Sequence, residues 1–381
     1  MKAGWQVKTL GDSCFIARGG SPRPIQEFLT NDADGVNWIK ISDATASDKF
    51  IFKTKEKIKP SGISRSRLVK EGDFILSNSM SFGRPYVMKT SGCIHDGWLV
   101  LSEYEKYFDQ GFLYHLLGSP VVFEQFNNLA AGSTVRNLNI ELASRVVLPV
   151  PPIEQQQRIV AKLDQAFEGI AKARTNAEKN LQNTRALFES HLQSIFANGG
   201  MSWEVKTLNQ IAENLDNKRV PITKNVRSNG AYPYYGASGI VDYVGEFIFD
   251  GDLLLVSEDG ANLLARTYPI AFSIHGKTWV NNHAHVLRFK EITTQKLVEF
   301  YLNSIPLNDF VSGMAQPKLN QKMLNTIPIP FPPLAEREVI VAKFDKLSAE
   351  TQRLEALYQR KIALLDELKK SLLQQAFAGE L

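Results

Sequence analysis

The chain repeats itself, and no other property of it narrows the fold so much. Trp5-Gln6-Val7-Lys8-Thr9-Leu10 returns as Trp203-Glu204-Val205-Lys206-Thr207-Leu208, a shift of 198. Farther on the shift is 181 and holds without a gap. It maps Leu138-Asn139 onto Leu319-Asn320, Pro149-Val150-Pro151-Pro152 onto Pro330-Phe331-Pro332-Pro333, and Ile159–Asp164 onto Ile340–Asp345. Register kept over such a distance means one unit written twice. Each copy has a variable segment followed by a constant one, and the first variable segment is 17 residues longer, the difference between the two shifts. A length of 381 residues, at roughly 100–200 residues per domain, fits the same two-part division.

The constant segments read as long helices. Proline lacks an N–H and fixes φ, so the Pro-Pro pairs end what precedes them and can open a helix. Residues 153–197 and 334–378 then run without proline. A mostly apolar series recurs in alternating steps of three and four, Phe344, Leu347, Thr351, Leu354, Tyr358, Lys361, Leu365, Leu368 and Leu372 in the second copy, polar only at Thr351 and Lys361. The shift of 181 carries this seam to Leu163, Ala166, Ile170, Ala173, Ala177, Asn180, Thr184, Leu187 and His191 in the first. Such steps are a heptad seam; small residues matched with large ones let the helices pack closely, and because each helix follows its own globular segment an antiparallel pair within the chain is the simplest solution. A 29-residue seam spans roughly 43 Å at 1.5 Å per residue. The expected fold is α+β, with two globular α/β domains held apart by an antiparallel coiled coil and related by a pseudo-two-fold axis. The boundaries fall at 1–152, 153–200, 201–333 and 334–381.

The variable segments mix short strands with a few helices. Gly72–Ser77 and Gly251–Val256 share one form, a Gly-Asp turn and then a buried strand, and each leads into a polar, glycine-containing loop. Loops on rigid strands are where specificity tends to reside.

Catalytic patterns are missing. There is no G-x-G-x-x-G after a strand, no G-x-x-x-x-G-K-[ST] and no H-E-x-x-H, and neither Pro-Pro pair follows the Asn or Asp of an amino-methyltransferase. His283-x-His285 lacks neighbouring Cys or acidic ligands, so no metal site is expected. Cys14 and Cys93 are too few for a disulfide scaffold and suit a reducing cytoplasm, and no apolar run approaches the ~18 residues of a membrane span. A net charge of +4 does not by itself announce nucleic acid. It is unevenly placed, however: residues 1–152 carry 18 basic and 15 acidic side chains, residues 201–333 carry 12 of each. Arg65-Ser66-Arg67-Leu68-Val69-Lys70 and the run Lys218, Arg219, Lys224, Arg227 before Tyr232–Gly236 are local basic clusters. Lysine and arginine neutralise phosphates, Arg and Asn read base edges, and tyrosines stack. From the residues alone, a two-headed scaffold for protein or glycan ligands remains a rival.

With both halves aligned, the chain resembles the specificity subunits of type I restriction–modification systems. The blocks Leu148–Val160 and Ile327–Glu338 carry the resemblance, together with Tyr232–Gly239, Trp279–His285 and Ala315–Asn320. It implies a non-catalytic subunit whose two target-recognition domains each bind one half of a bipartite, asymmetric DNA site. The helices would set the spacing and dock two methyltransferase subunits, and through them restriction–translocase subunits. S-adenosylmethionine, ATP and Mg2+ would belong to those partners, with none used by this chain. By position, the recognition loops would include Arg65, Arg67, Lys70, Asn78, Ser79, Arg84, Ser133, Thr134 and Arg136 in the first domain. In the second they would include Lys218, Arg219, Lys224, Arg227, Tyr234, Tyr235, Ser238, Asp259, Asn262, Asn281, Asn282, His283, Gln316 and Lys318. The second Pro-Pro junction continues Ala335-Glu336-Arg337-Glu338 where the family usually has Glu-Gln pairs.

Overall fold

The computed structural model describes residues 4–78, 83–130, 138–313 and 316–381. The chain divides into two units, each built from a globular part and a length of both long helices. The first holds residues 1–176 and 361–381, the second residues 177–360.

In each unit the first strand closes on the last. Gln6–Thr9 pairs antiparallel with Val147–Val150, Val7 opposite Pro149. Glu204–Lys206 pairs with Ile329–Phe331, Val205 opposite Pro330. The tryptophan before each strand then fastens the start of the following long helix. Trp5 Nε1 donates to Gln155 Oε1 at 3.1 Å, and Trp203 Nε1 to Glu336 Oε1 at 2.8 Å. The altered second junction thus keeps this contact with a carboxylate in place of an amide.

The first unit has a central five-stranded sheet in the order Phe15–Arg18, Trp98–Ser102, Phe74–Ser77, Pro85–Met88, Phe50–Ile51. The expected Gly-Asp turn leads into it, with Gly72 at φ +94°, a conformation that glycine adopts without strain. Strand alternation sends Phe74 and Leu76 to one side, where Phe112, Leu116 and Phe126 cover them. Ile75 goes to the other, among Ile39, Val69, Tyr86, Ile94 and Trp98. A second five-stranded sheet, Leu29–Thr30, Glu56–Ile58, Val36–Ile39, Gly92–Ile94 and Arg67–Val69, supplies part of that side. The second unit is layered likewise, with a four-stranded sheet (Ala212–Asn214, Ala284–Phe289, Leu253–Ser257, Ala271–Ile274) and a three-stranded one (Gly239–Val244, Tyr232–Gly236, Trp279–Val280). Leu254 and Val256 face Leu297 and Tyr301, while Leu253 and Leu255 face Phe249 and Val280.

The long helices are Ile153–Ala197 and Leu334–Ala378, each opening directly after its Pro-Pro pair. They pack antiparallel in both units. In the first, Lys369 lies over the Phe167 ring and Asp366 pairs with Arg174, so numbering rises on one helix as it falls on the other. In the second, Arg185 Nε meets Glu355 at 2.6 Å and Phe196 stacks against Phe344 at 5.5 Å. Leu163 and Phe344, equivalent under the repeat, are both sealed in the core of their unit.

Most of the expected seam is at least half-buried: Leu163, Ile170, Phe344, Leu347, Leu354, Tyr358, Leu365 and Leu372. Four positions are corrected. Asn180 and Lys361 are exposed, Leu187 is 74% exposed and Leu368 is 46% exposed. The inward positions there are Leu181, Phe188 and Leu192 on the first helix and Ile362, Leu373 and Ala376 on the second. A straight helix has 3.6 residues per turn and drifts ~20° per heptad from a 3.5 repeat, so a seam extended by strict threes and fours slips off the buried face.

One further contact docks each globular part on its helices. In the first unit His115 Nε2 and Asp164 Oδ1 are 2.8 Å apart. In the second Lys296 Nζ and Asp345 Oδ2 are 2.6 Å apart. Both partners are related by the shift of 181, so the clip is duplicated although its chemistry changed.

Candidate nucleic-acid interface

In the second unit four loops converge on one end of the central sheet, beyond Ser257. Ser257 Oγ donates to the Ala237 carbonyl at 2.6 Å, tying in the Tyr232–Val244 hairpin turn. The Glu258 N–H donates to the His283 carbonyl at 2.9 Å, and the Leu319 N–H to the Glu258 carbonyl at 2.8 Å. Gly260 reaches the Pro317 carbonyl at 3.0 Å. Segments near 237, 258, 283 and 318 are thereby fixed together.

Beneath them lies an ion network. Arg219 Nη1 is 2.6 Å from Glu258 Oε2 and donates to the Ala284 carbonyl at 2.8 Å, while its other nitrogen is 3.5 Å from Asp216. Lys318 Nζ meets the second Glu258 oxygen at 3.2 Å. His285, 1% exposed, lies 2.6 Å from Asp216 and 2.7 Å from the Leu319 carbonyl. Burial alone would push Glu258 up, but Arg219, His285 and Lys318 outweigh it and hold the carboxyl below its usual range. For Asp216 burial is likewise outweighed, by the His285 hydrogen bond first. Asp216, Glu258 and His285 are close enough together for a metal ion. The Arg219 guanidinium already supplies the positive charge there, so the arrangement reads as an ion-pair network. The acidic neighbours absent from the local sequence around His285 come from elsewhere in the chain, Asp216 from the short turn Asp216–Lys218 and Glu258 from just past the central strand Leu253–Ser257.

The expected contact residues divide into two groups. Ser238, Asn282, His283, Gln316 and Lys318 are exposed on this end, with half-buried Asp259 bonded to His283 at 2.8 Å. Lys218 and Lys224 are exposed on short turns leading to it. The others are occupied internally. Arg227 pairs with Asp242 at 2.9 Å and covers the Tyr234 ring, itself buried. Asn262 accepts from Thr267 and Tyr268 N–H groups, Asn281 accepts from the His283 N–H, and Tyr235 is half-buried against Phe272. These six, counting Arg219, shape the loops from inside.

The first unit repeats the backbone plan. The Asn78 N–H donates to the Gly97 carbonyl at 3.0 Å, and the Leu138 N–H to the Asn78 carbonyl at 2.8 Å, matching Glu258 with His283 and Leu319. Asn78 is buried, its amide donating to the Asp96 carbonyl at 2.8 Å. Asp96 is a hub that sequence reading missed. Its carboxylate accepts from Ser21 Oγ at 2.8 Å and lies 3.3 Å from Arg23 Nη2, and its carbonyl accepts from Arg18 Nε at 3.0 Å. The Ser21 hydrogen bond leads in holding that carboxyl below its ordinary range. Arg18 and Arg23 are exposed cations isolated in sequence, which a search for charge-dense windows passes over; the Ser21-Pro22-Arg23-Pro24 turn was the available signal. Arg65, Arg67 and Lys70 are exposed on and beside the edge strand Arg67–Val69, and Arg84 is exposed at the end of the hairpin that begins after Ser77. Ser79, Ser133, Thr134 and Arg136 lie outside the described residues.

Both cysteines are buried free thiols, and burial pushes Cys14 up to about 12, which suits packing and not nucleophilic chemistry. Among the described residues, no helix is long and apolar enough to cross a membrane.

The family model for the type I restriction modification DNA specificity domain matches residues 2–180 and again 201–364. A putative type I restriction enzyme specificity subunit of Haemophilus influenzae is 36% identical over 171 residues, 45% of this chain and 42% of that protein. The EcoprrI specificity subunit of Escherichia coli is 22% identical over 85% of this chain and 83% of its own length. For the MjaIX specificity subunit of Methanocaldococcus jannaschii the identity is 22% over 99% and 93%. Among solved structures, a chain from work on complex assembly and conformational transition of the type I R-M system aligns with a TM-score of 0.81 at 19% identity, covering 100% of this chain and 99% of the other. The HsdS subunit from Thermoanaerobacter tengcongensis aligns at 0.64 with 20% identity, covering 100% and 98%. These two show the fold. With both halves matched, the chain belongs to the type I restriction–modification DNA specificity family, as a DNA-recognition subunit that is not itself catalytic.

Proposed function

We propose that residues 1–152 and 201–333 are two target-recognition domains, each reading one half of a bipartite, asymmetric DNA site. The observation that carries this is the repeated loop convergence, at Asn78 in one unit and Glu258 in the other, with the same backbone bonds and different side chains. A common scaffold holding divergent loops suits two different half-sites. Exposed side chains would make the contacts: Arg84 at the Asn78 end with Arg65, Arg67 and Lys70 on and beside the edge strand in the first domain, and Ser238, Asn282, His283, Gln316 and Lys318 in the second. Asn and Gln suit base edges in the major groove, Lys and Arg suit guanine edges or phosphates.

The helices of residues 153–200 and 334–381 set the distance between half-sites and dock two methyltransferase subunits, which bring restriction–translocase subunits with them. S-adenosylmethionine, ATP and Mg2+ serve those partners, and the work is cytoplasmic. The test is binding of the full chain, assembled with its modification subunits, to duplexes carrying both half-sites. Inserting or deleting one or two base pairs between them should abolish specific binding. Tolerance of any spacing would overturn the ruler.

A further inference from the structure

A groove in the first unit runs from the recognition end to the long helices. Arg84 stands at the end of the hairpin after Ser77, Lys49 just before the strand Phe50–Ile51, and Lys369 on the second long helix, and all three line this groove. Each cation rests on an aromatic ring: Lys49 4.5 Å from Tyr114, Arg84 5.1 Å from Tyr86, Lys369 5.0 Å from Phe167. Among the described residues none of the three has a carboxylate within ion-pair distance. Of the two acids lining the groove, Asp164 is taken by His115, and Asp48 is exposed at the rim. Lys49 is half-buried, and that burial pulls its amine below the ordinary lysine range despite Asp164. Lys49 is thus partly desolvated and without an ion-pair partner, with only the longer-range pull of Asp164 and Asp109, in a groove that Arg84 and Lys369 also line.

The repeat shows that the fold does not require this arrangement. The shift of 181 carries Lys369 to Phe188, which packs on Phe300 at 6.5 Å, and carries Gly118, which lines the groove with Arg84, to the half-buried acid Glu299. The second unit therefore has an aromatic ring where the first has Lys369, and a carboxylate where the first has Gly118.

We infer that Lys49, Arg84 and Lys369 form a sequence-independent seat for the DNA phosphodiester backbone, continuing the grip of the first recognition end onto the long helix. The inference rests on the DNA-reading function proposed above. Spaced cations on rigid platforms follow a phosphate track, and each phosphate neutralised adds about 0.9 to the salt dependence of binding. An acidic protein surface is the rival occupant.

The test uses the full chain assembled with its modification subunits and a 30-base-pair duplex of arbitrary sequence, titrated between 50 and 200 mM salt. Lys49→Gln and Lys369→Gln should each weaken binding and lower the log–log salt slope by about 1. Lys49→Arg and Lys369→Arg should restore both, and Lys346→Gln, an exposed lysine of the same helix outside the groove, should change neither. An unaltered slope in both glutamine variants overturns the seat. Loss of subunit assembly with DNA binding intact overturns it in favour of a protein dock. Failure of the wild-type complex to bind any duplex overturns the DNA-reading function itself, and the seat with it.

Discussion

The two units close their central sheets with the same wiring and then differ in the side chains of the loops so held. Position 78 in the first and 258 in the second close the central sheet by the same two backbone hydrogen bonds. The first places a buried neutral amide there, bonded to the Asp96 carbonyl; the second places a carboxylate between Arg219 and Lys318. The helix-docking contacts vary more quietly. Gln156 donates to the Tyr107 and Pro151 carbonyls and accepts from the Asp109 N–H, while Arg337 at the equivalent place pairs with Glu291, which begins the corresponding helix. Duplication preserved which positions touch, and divergence changed what they say. Loops free to change chemistry on a fixed backbone are what a two-part recognition device requires.

If the units are equivalent in their cores, truncating equivalent residues should hurt both. Phe344→Ala should cost about 3–5 kcal/mol and Leu163→Ala about 2–5 kcal/mol, read by calorimetric unfolding of the purified chain. A loss below 1 kcal/mol in either would show that its unit does not depend on the helix pair.

The recognition ends should break unequally. Glu258→Gln leaves Arg219, whose side chain is 13% exposed, with only its longer contact to Asp216 and should cost on the order of 2 kcal/mol. Asn78→Ala should cost about 1 kcal/mol, because the Asp96 carbonyl still accepts from Arg18. Denaturant unfolding of both variants orders them, and the reverse order would contradict the assignment of Glu258 as the ionic hub.

The docking clips should separate by pH. Burial lowers the His115 pKa from 6.5, with the Asp164 hydrogen bond and charge opposing. The unfolded chain therefore takes up the proton first, and stability falls as pH drops from about 6.5 toward the lowered folded value. The equivalent clip of the second unit contains no histidine. His115→Gln keeps a hydrogen bond to Asp164 without a titrating ring, so its melting temperature should fall less between pH 7 and pH 5.5 than the wild type's. An identical fall would remove His115 from the acid response.

The smallest effect distinguishes the two helix registers. Leu187→Lys should stay within ~0.5 kcal/mol of wild type, whereas Phe188→Lys should cost about 1–2 kcal/mol. Comparable losses in thermal melts would favour the strict heptad seam.

Much of this was legible in the sequence because it is periodic or duplicated. The repeat marked the segments that form both strand closures without showing that they pair, the Pro-Pro pairs located both helix starts, and the Gly-Asp turns located both central strands. What escaped was long-range or isolated. Asp216, Glu258 and His285 meet only through strand pairing, and Arg18 and Arg23 gain meaning only beside Asp96. Residue type also misled at Arg219, Arg227, Asn262 and Asn281, which look like DNA contacts and are spent on their own loops. A polar side chain supporting a loop and one reaching out of it have the same letter. The seam slipped at Leu187 because a repeat shift transfers position faithfully and helical phase only locally.

Whether each unit reads one half of the site independently is tested by mapping methylated adenines. The assembled methyltransferase would be compared as wild type, Lys318→Gln and Arg23→Gln. Lys318→Gln should relax or alter only one half of the bipartite sequence and Arg23→Gln only the other, with the spacing unchanged. Changes in both halves from either substitution, or in the same half from both, would contradict independent reading.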